Sequence, residues 1–284
     1  MNKEDLKNKI ETFYIKSLNV DNPDFLIALD AIKSIIGINL DQVKISLLDW
    51  FSDSLKGIKI NEYKMNNFKN IPGAISFYSL ESALLDNNKK KSYESIFYLS
   101  KVSEGTQVFE FLLEFSLKYT EDCFKYIWHI MRLERLFNGK YRIESLNRCV
   151  DLLMIADYID CCPSERNSAL EWDNCFNSKT DNVLLYYIVY NSELTRSDTI
   201  RRLISGKLEI SSMQDCSSDD INVKEEQLIE GKLWINRYFD NLKIKDISLS
   251  QIILLDQIRS CLLFEKQYVD IKLFWNYLNK NLCN

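Results

Sequence analysis

A chain of 284 residues, 46% hydrophobic and 27% charged, can bury a sizeable core, and its seven glycines and three prolines narrow the fold class. All-β and doubly wound α/β chains need turn residues every ten or so positions, and typical usage would give about 20 glycines. The scarcity favours helices on short polar connections and argues against glycine-rich phosphate loops. Net charge is −5, with no basic face broad enough for a nucleic-acid backbone, so nucleic-acid binding is disfavoured.

The start, Met1 to Lys9, is polar and no apolar segment of signal-peptide type follows it. A charge-free run such as Asn182 to Ser192 falls far short of the roughly 17–25 residues of a membrane span. Eight cysteines are scattered through helical patterns, as expected of free thiols in a reducing compartment. A cytoplasmic protein with no membrane association is the expectation.

In chain order, the spacing of Leu6, Ile10 and Phe13 predicts a first helix over Lys3 to Leu18. Pro23 suits the first position of a second helix, which Gly37 would close in the left-handed role just past its end. Asn39 with Gln42 reads as a capping box for a third helix, ended by Gly57. Ile58 to Ile60 alternates like a short strand, Asn66 to Gly73 reads as loop, and a helix follows over 74–85. Asp86 to Lys91 reads as a solvated connection. The next stripe runs to Gly105. Thr106 and Thr120 then look like N-caps of helices over Gln107 to Lys118 and Glu121 to Asn138.

Further helices are expected at about 142–160, 164–176, 181–192 and 198–205. After a flexible polar loop at 214–220, others follow at about 222–242, 248–266 and 269–281. The expected architecture is all-α: a multi-helix bundle or irregular α-solenoid of roughly a dozen antiparallel helices, without a fixed-period repeat. Two units are expected, a main helical domain over 1–213 and a C-terminal helical hairpin over 221–284 packed on it.

Candidate chemistry is sparse. His129 is the single histidine, which excludes paired-histidine metal sites. Its aromatic and aliphatic neighbours point to a structural role. Cys161-Cys162 precedes Pro163 without a Cys-x-x-Cys, so neither zinc nor redox chemistry is indicated. Glu110 and Glu114 share a helix face and could split acid and base roles, and Asp157-x-x-Asp160 approaches a metal-binding spacing. Solvated faces account for both. Arg196, Arg201, Arg202 and Lys207 form a short basic cluster that could meet a phosphate or pair with Asp198.

The feature that stands out is acidic. Residues 151–227 hold 15 Asp/Glu against 7 Lys/Arg, a local −8. Asp157, Asp160, Glu171, Asp173 and Asp181 lie there with Trp172, a residue type favoured at interface centres. A one-signed surface speeds encounter with a partner of opposite charge. The expectation is therefore a non-enzymatic adaptor, inhibitor or immunity-type protein that presents an acidic face to a basic protein partner. No catalytic residues, metal site or cofactor are expected. The alternatives are an all-α enzyme with a carboxylate-lined pocket and, third, a regulator touching nucleic acid.

Overall fold

Helical periodicity does become helices. The computed structural model describes residues 2–41, 43–60, 74–104, 106–119, 121–159, 170, 172–177, 182–211, 223–241, 247–264 and 271–282. Among these are fifteen α-helices and no strand, with one isolated antiparallel bridge between Tyr119 and Tyr158. No described helix is long and apolar enough to cross a membrane.

Helix α1 (Lys3–Leu18) starts where the sequence places it, with the Asn2 side chain accepting the Asp5 N–H at 2.8 Å. Helix α2 (Asp24–Ile36) follows Pro23, whose backbone is already helical, and ends at Gly37. Gly37 keeps a right-handed φ of −66°, so the expected left-handed closure is not used. The Asn39 cap is also corrected: its Oδ1 accepts the Asp41 N–H in the loop, and α3 (Ile45–Ser54) begins only after Lys44. Gln42 lies outside the described residues, as do 61–73, where the loop was expected. Ile58 to Ile60 forms no strand.

Helix α4 (Phe77–Leu85) has a reciprocal Ser76–Ser79 capping box. Lys89 to Lys91, expected in a solvated connection, form instead the first turn of α5 (Lys89–Val102) under an Asn88 cap. Helices α6 (Gln107–Ser116), α7 (Glu121–Leu136) and α8 (Arg142–Ile155) follow, then the short α9 (Trp172–Asn177), α10 (Val183–Tyr190) and α11 (Ser197–Ser211). The single helix expected over 222–242 is two, α12 (Glu225–Glu230) and α13 (Lys232–Asn241), broken at Gly231, whose φ is +53°. Helices α14 (Leu249–Cys261) and α15 (Ile271–Asn281) complete the order. The 214–220 loop lies outside the described residues.

Two helices, α2 and α10, are inner ones. Every residue of α10 from Val183 to Val189 is buried, and ten of the thirteen residues of α2 are buried. A helix apolar on all sides must be enclosed by others. α2 is enclosed by α1, α7 and α14, and α14 also touches α10. The buried side chains form one contiguous core from Leu6 to Leu278. In a solenoid each repeat touches only its neighbours, whereas here α14 lies along α2 from the far end of the sequence. The packing is that of a closed bundle.

Candidate functional site

Two carboxylates and the histidine stand inside this apolar interior. Asp30 on α2, His129 on α7 and Asp256 on α14 are 0, 1 and 1% exposed, and each brings a ligand-type atom within 4.8 Å of the others. Three residues later, each helix carries a cation: Lys33, Arg132 and Arg259, with side chains 19, 16 and 13% exposed. Residues three apart share a helix face, so three helices build an inner ring of two acids and one imidazole beneath an outer ring of three cations.

The rings are bonded together. Lys33 pairs with Asp30. Arg132 Nε lies 3.2 Å from Asp30 Oδ2, and its Nη1 donates to Asp256 Oδ2 at 3.3 Å. Arg259 Nε donates to Asp256 Oδ1 at 2.7 Å. His129 Nδ1 lies 2.8 Å from Asp30 Oδ2, and an ionised carboxylate only accepts, so Nδ1 carries the proton.

The titration behaviour follows from this packing. Burial pushes the Asp30 carboxyl upward, but Arg132, Lys33 and the His129 hydrogen bond outweigh it and hold the group well below the usual carboxylate range. Burial lowers the His129 pKa despite Asp30, so the imidazole is neutral. Burial also lowers Lys33, which Asp30 offsets only in part, whereas Asp30 and Asp256 keep Arg132 above its ordinary value. Asp30, His129 and Asp256 are a donor set that a divalent ion could use, but side-chain cations already occupy it. Adding a metal would pile charge onto a site where cations already outnumber acids.

Of this cluster the sequence reading singled out only His129. The signal for the rest is local. Leu29-Asp30-Ala31-Ile32-Lys33-Ser34 and Leu255-Asp256-Gln257-Ile258-Arg259-Ser260 share the pattern Leu-Asp-x-Ile-(Lys/Arg)-Ser. A lone acid inside an apolar helix needs a partner. The serines match in use as well as in place, because Ser34 Oγ accepts from Arg132 Nη2 at 2.8 Å and Ser260 Oγ from Arg259 Nη2 at 2.9 Å.

The other candidates are mostly absorbed by the fold. Glu110 is buried; its Oε1 accepts the Thr106 hydroxyl at 2.8 Å and its Oε2 the Thr195 N–H at 2.7 Å, with the Thr195 hydroxyl on the same oxygen. Glu114 pairs with Arg196, whose guanidinium also lies over Phe77 and Phe111. Arg201 donates to the Tyr190 carbonyl at 2.8 Å, and Lys207 to that of Tyr119 at 3.2 Å. The carboxylate pair and most of the basic cluster therefore brace the α6, α10 and α11 junction.

Among the acidic-face residues, Trp172 is buried (3% exposed), edge-on to Tyr187 and Tyr190, so its ring is spent on the core. Asp157 is exposed. Asp160, Glu171 and Asp181 lie outside the described residues, as do the side chain of Asp173 and the Cys161-Cys162 pair.

Around Asp157 the surface is more apolar than the sequence suggests. Ile155 is 82% exposed, and Tyr158 and Ile159 are 49% each. The Ile159 N–H donates to the Lys118 carbonyl at 2.7 Å, the Tyr158 ring stands edge-on to Tyr119 at 5.4 Å, and Lys118 pairs with Glu81 on α4. The same helix holds Tyr78, one of the most exposed large side chains.

Compared with protein-family models, with curated proteins and with solved structures, the chain matches none.

Proposed function

We propose that this chain is a helical protein-interaction module that offers the Ile155–Ile159 edge, apolar with Asp157 at its centre, to a protein partner carrying apolar and basic residues. One observation carries the reading: three large apolar side chains stand in solvent on a backbone pinned to Lys118 and Tyr119. Exposed apolar groups gathered in one place mark contact surfaces more often than isolated ones do. A pinned segment also loses little freedom on binding, which lowers the entropic cost of association. Asp157 would add encounter rate and selectivity more than affinity. A reducing, cytoplasmic setting belongs to the same reading, since Cys123, Cys149, Cys175 and Cys261 are buried free thiols.

The test is a photo-crosslinking residue at position 158 in cells of the native host. A discrete adduct is expected. Ile155→Glu should abolish it, because losing a central apolar contact costs about 2 kcal/mol or more, roughly thirtyfold in affinity. Asp157→Lys should slow capture and reduce its salt dependence. An adduct that persists unchanged in both variants, while each keeps the parent melting temperature, would rule out the edge.

A further inference from the structure

The cluster between α2, α7 and α14 carries an unbalanced charge. Among the described residues three cations, Lys33, Arg132 and Arg259, face two carboxylates, Asp30 and Asp256, and the imidazole is neutral, which leaves a formal +1. Among the described residues the charged groups that act most on Lys33 are Asp30, Arg132 and Asp256, and those on Arg132 are Asp30 and Asp256. An uncompensated charge in a half-buried position is costly unless an opposite charge joins it.

Donors remain open as well. Among the described residues the Arg259 Nη1 amino group has no acceptor, and Lys33 spends its ammonium on Asp30 alone. The two buried aspartates and the two serines hold the guanidinium planes in place from beneath, which removes much of the entropic cost of fixing arginines for a ligand. A chain with a net charge of −5 gives no general attraction for anions, so binding here would need a local site.

We propose that the outer ring of Lys33, Arg132 and Arg259 binds one small phosphate group, as free phosphate or a soluble phosphate monoester, which supplies the missing negative charge. Arginine suits this chemistry because its fork matches two phosphate oxygens, and lysine adds a point charge. The inner ring then acts as a positioning layer that touches the cations and not the ligand. Burial lowers the Lys33 pKa and Asp30 offsets that only in part, so an added anion beside the ammonium would raise it. This site is independent of the Ile155–Ile159 edge.

The test is calorimetric titration of the full chain at fixed ionic strength with inorganic phosphate, glycerol 3-phosphate, nitrate, and phosphatidylcholine vesicles containing phosphatidic acid. Saturable one-to-one binding of either soluble phosphate, with none for nitrate, is expected. Arg259→Gln and Lys33→Gln should each weaken it about tenfold or more. The proposal is overturned by no saturable heat up to about 10 mM phosphate. It is equally overturned by equal heats with nitrate, by affinity unchanged in both variants, or by binding to vesicles alone. If a variant fails to fold, the comparison of phosphate with nitrate on the native chain still decides.

Discussion

His129 is buried where cations already outnumber carboxylates, so protonating it is resisted twice, by desolvation and by Arg132. The consequence for stability has a definite sign. The unfolded chain takes up this proton near pH 6.5, and the folded chain only at lower pH. The contribution is therefore complete above about pH 6.5 and is lost as pH falls below it, by up to about 1.4 kcal/mol per pH unit. Asp30, held ionised by its neighbours, adds a second loss that begins below about pH 4. Glu134, whose pKa burial raises although the Tyr14 and Ser145 hydrogen bonds oppose the rise, works the other way: its contribution is lost as pH rises through its folded value. Urea unfolding at pH 7, 6 and 5 should show a falling midpoint. In His129→Asn, which keeps a donor towards Asp30, the fall between pH 6.5 and 5 should flatten, and an unchanged slope would assign it to other groups. At this scale the sequence was half legible. The apolar neighbours of His129 announced its burial, but its partners sit 99 and 127 positions away on α2 and α14, and linear spacing carries no such pairing.

Glu110 shows how an element boundary can be set from a distance. It is a residue of α6, yet its carboxylate takes the N–H and hydroxyl of Thr195 in the turn that leads into α11, and those bonds outweigh burial to keep its pKa lowered. Glu110→Gln offers one neutral accepting oxygen in place of a charged pair, so its bonds to Thr106 and Thr195 weaken, and the Thr195 N–H loses its acceptor whenever the amide nitrogen faces it. The expected cost is about 1.5–3 kcal/mol, with faster amide exchange confined to 194–197. Uniform acceleration across α6 would show a packing defect instead. Among the described residues helix existence was legible because apolar positions recur every three to four residues, and α1 was legible to the residue. Breaks were less so: Leu228, Leu233, Trp234 and Tyr238 keep one rhythm across Gly231, whose positive φ separates α12 from α13 without disturbing the pattern. The capping box drawn at Asn39 failed for a related reason. The Asn39 side chain found a backbone N–H in a loop, and side chains that cap helices serve turns equally well.

At the scale of the molecule, the question is whether residues after the 214–220 stretch are an accessory hairpin or part of the single core. Ile252, Ile253, Leu255, Ile258 and Leu262 of α14 and its end are buried, and the helix packs along α2 and against α10. Burying each such side chain is worth about 1.5–3 kcal/mol, so the set is comparable with the roughly 5–15 kcal/mol that stabilises a whole domain. Deleting 248–284 would also bare the facing apolar stripe of α2 and leave Arg132 without Asp256. A chain truncated after Ile247 is therefore expected to keep helical far-ultraviolet dichroism while losing its near-ultraviolet signal and binding a hydrophobic dye, the behaviour of a collapsed state without fixed packing. Cooperative melting of the truncated chain within a few degrees of the parent would instead make the C-terminal hairpin a separable unit. It would then follow that the cation ring, which needs Arg259, is assembled by docking of two units and not by folding of one.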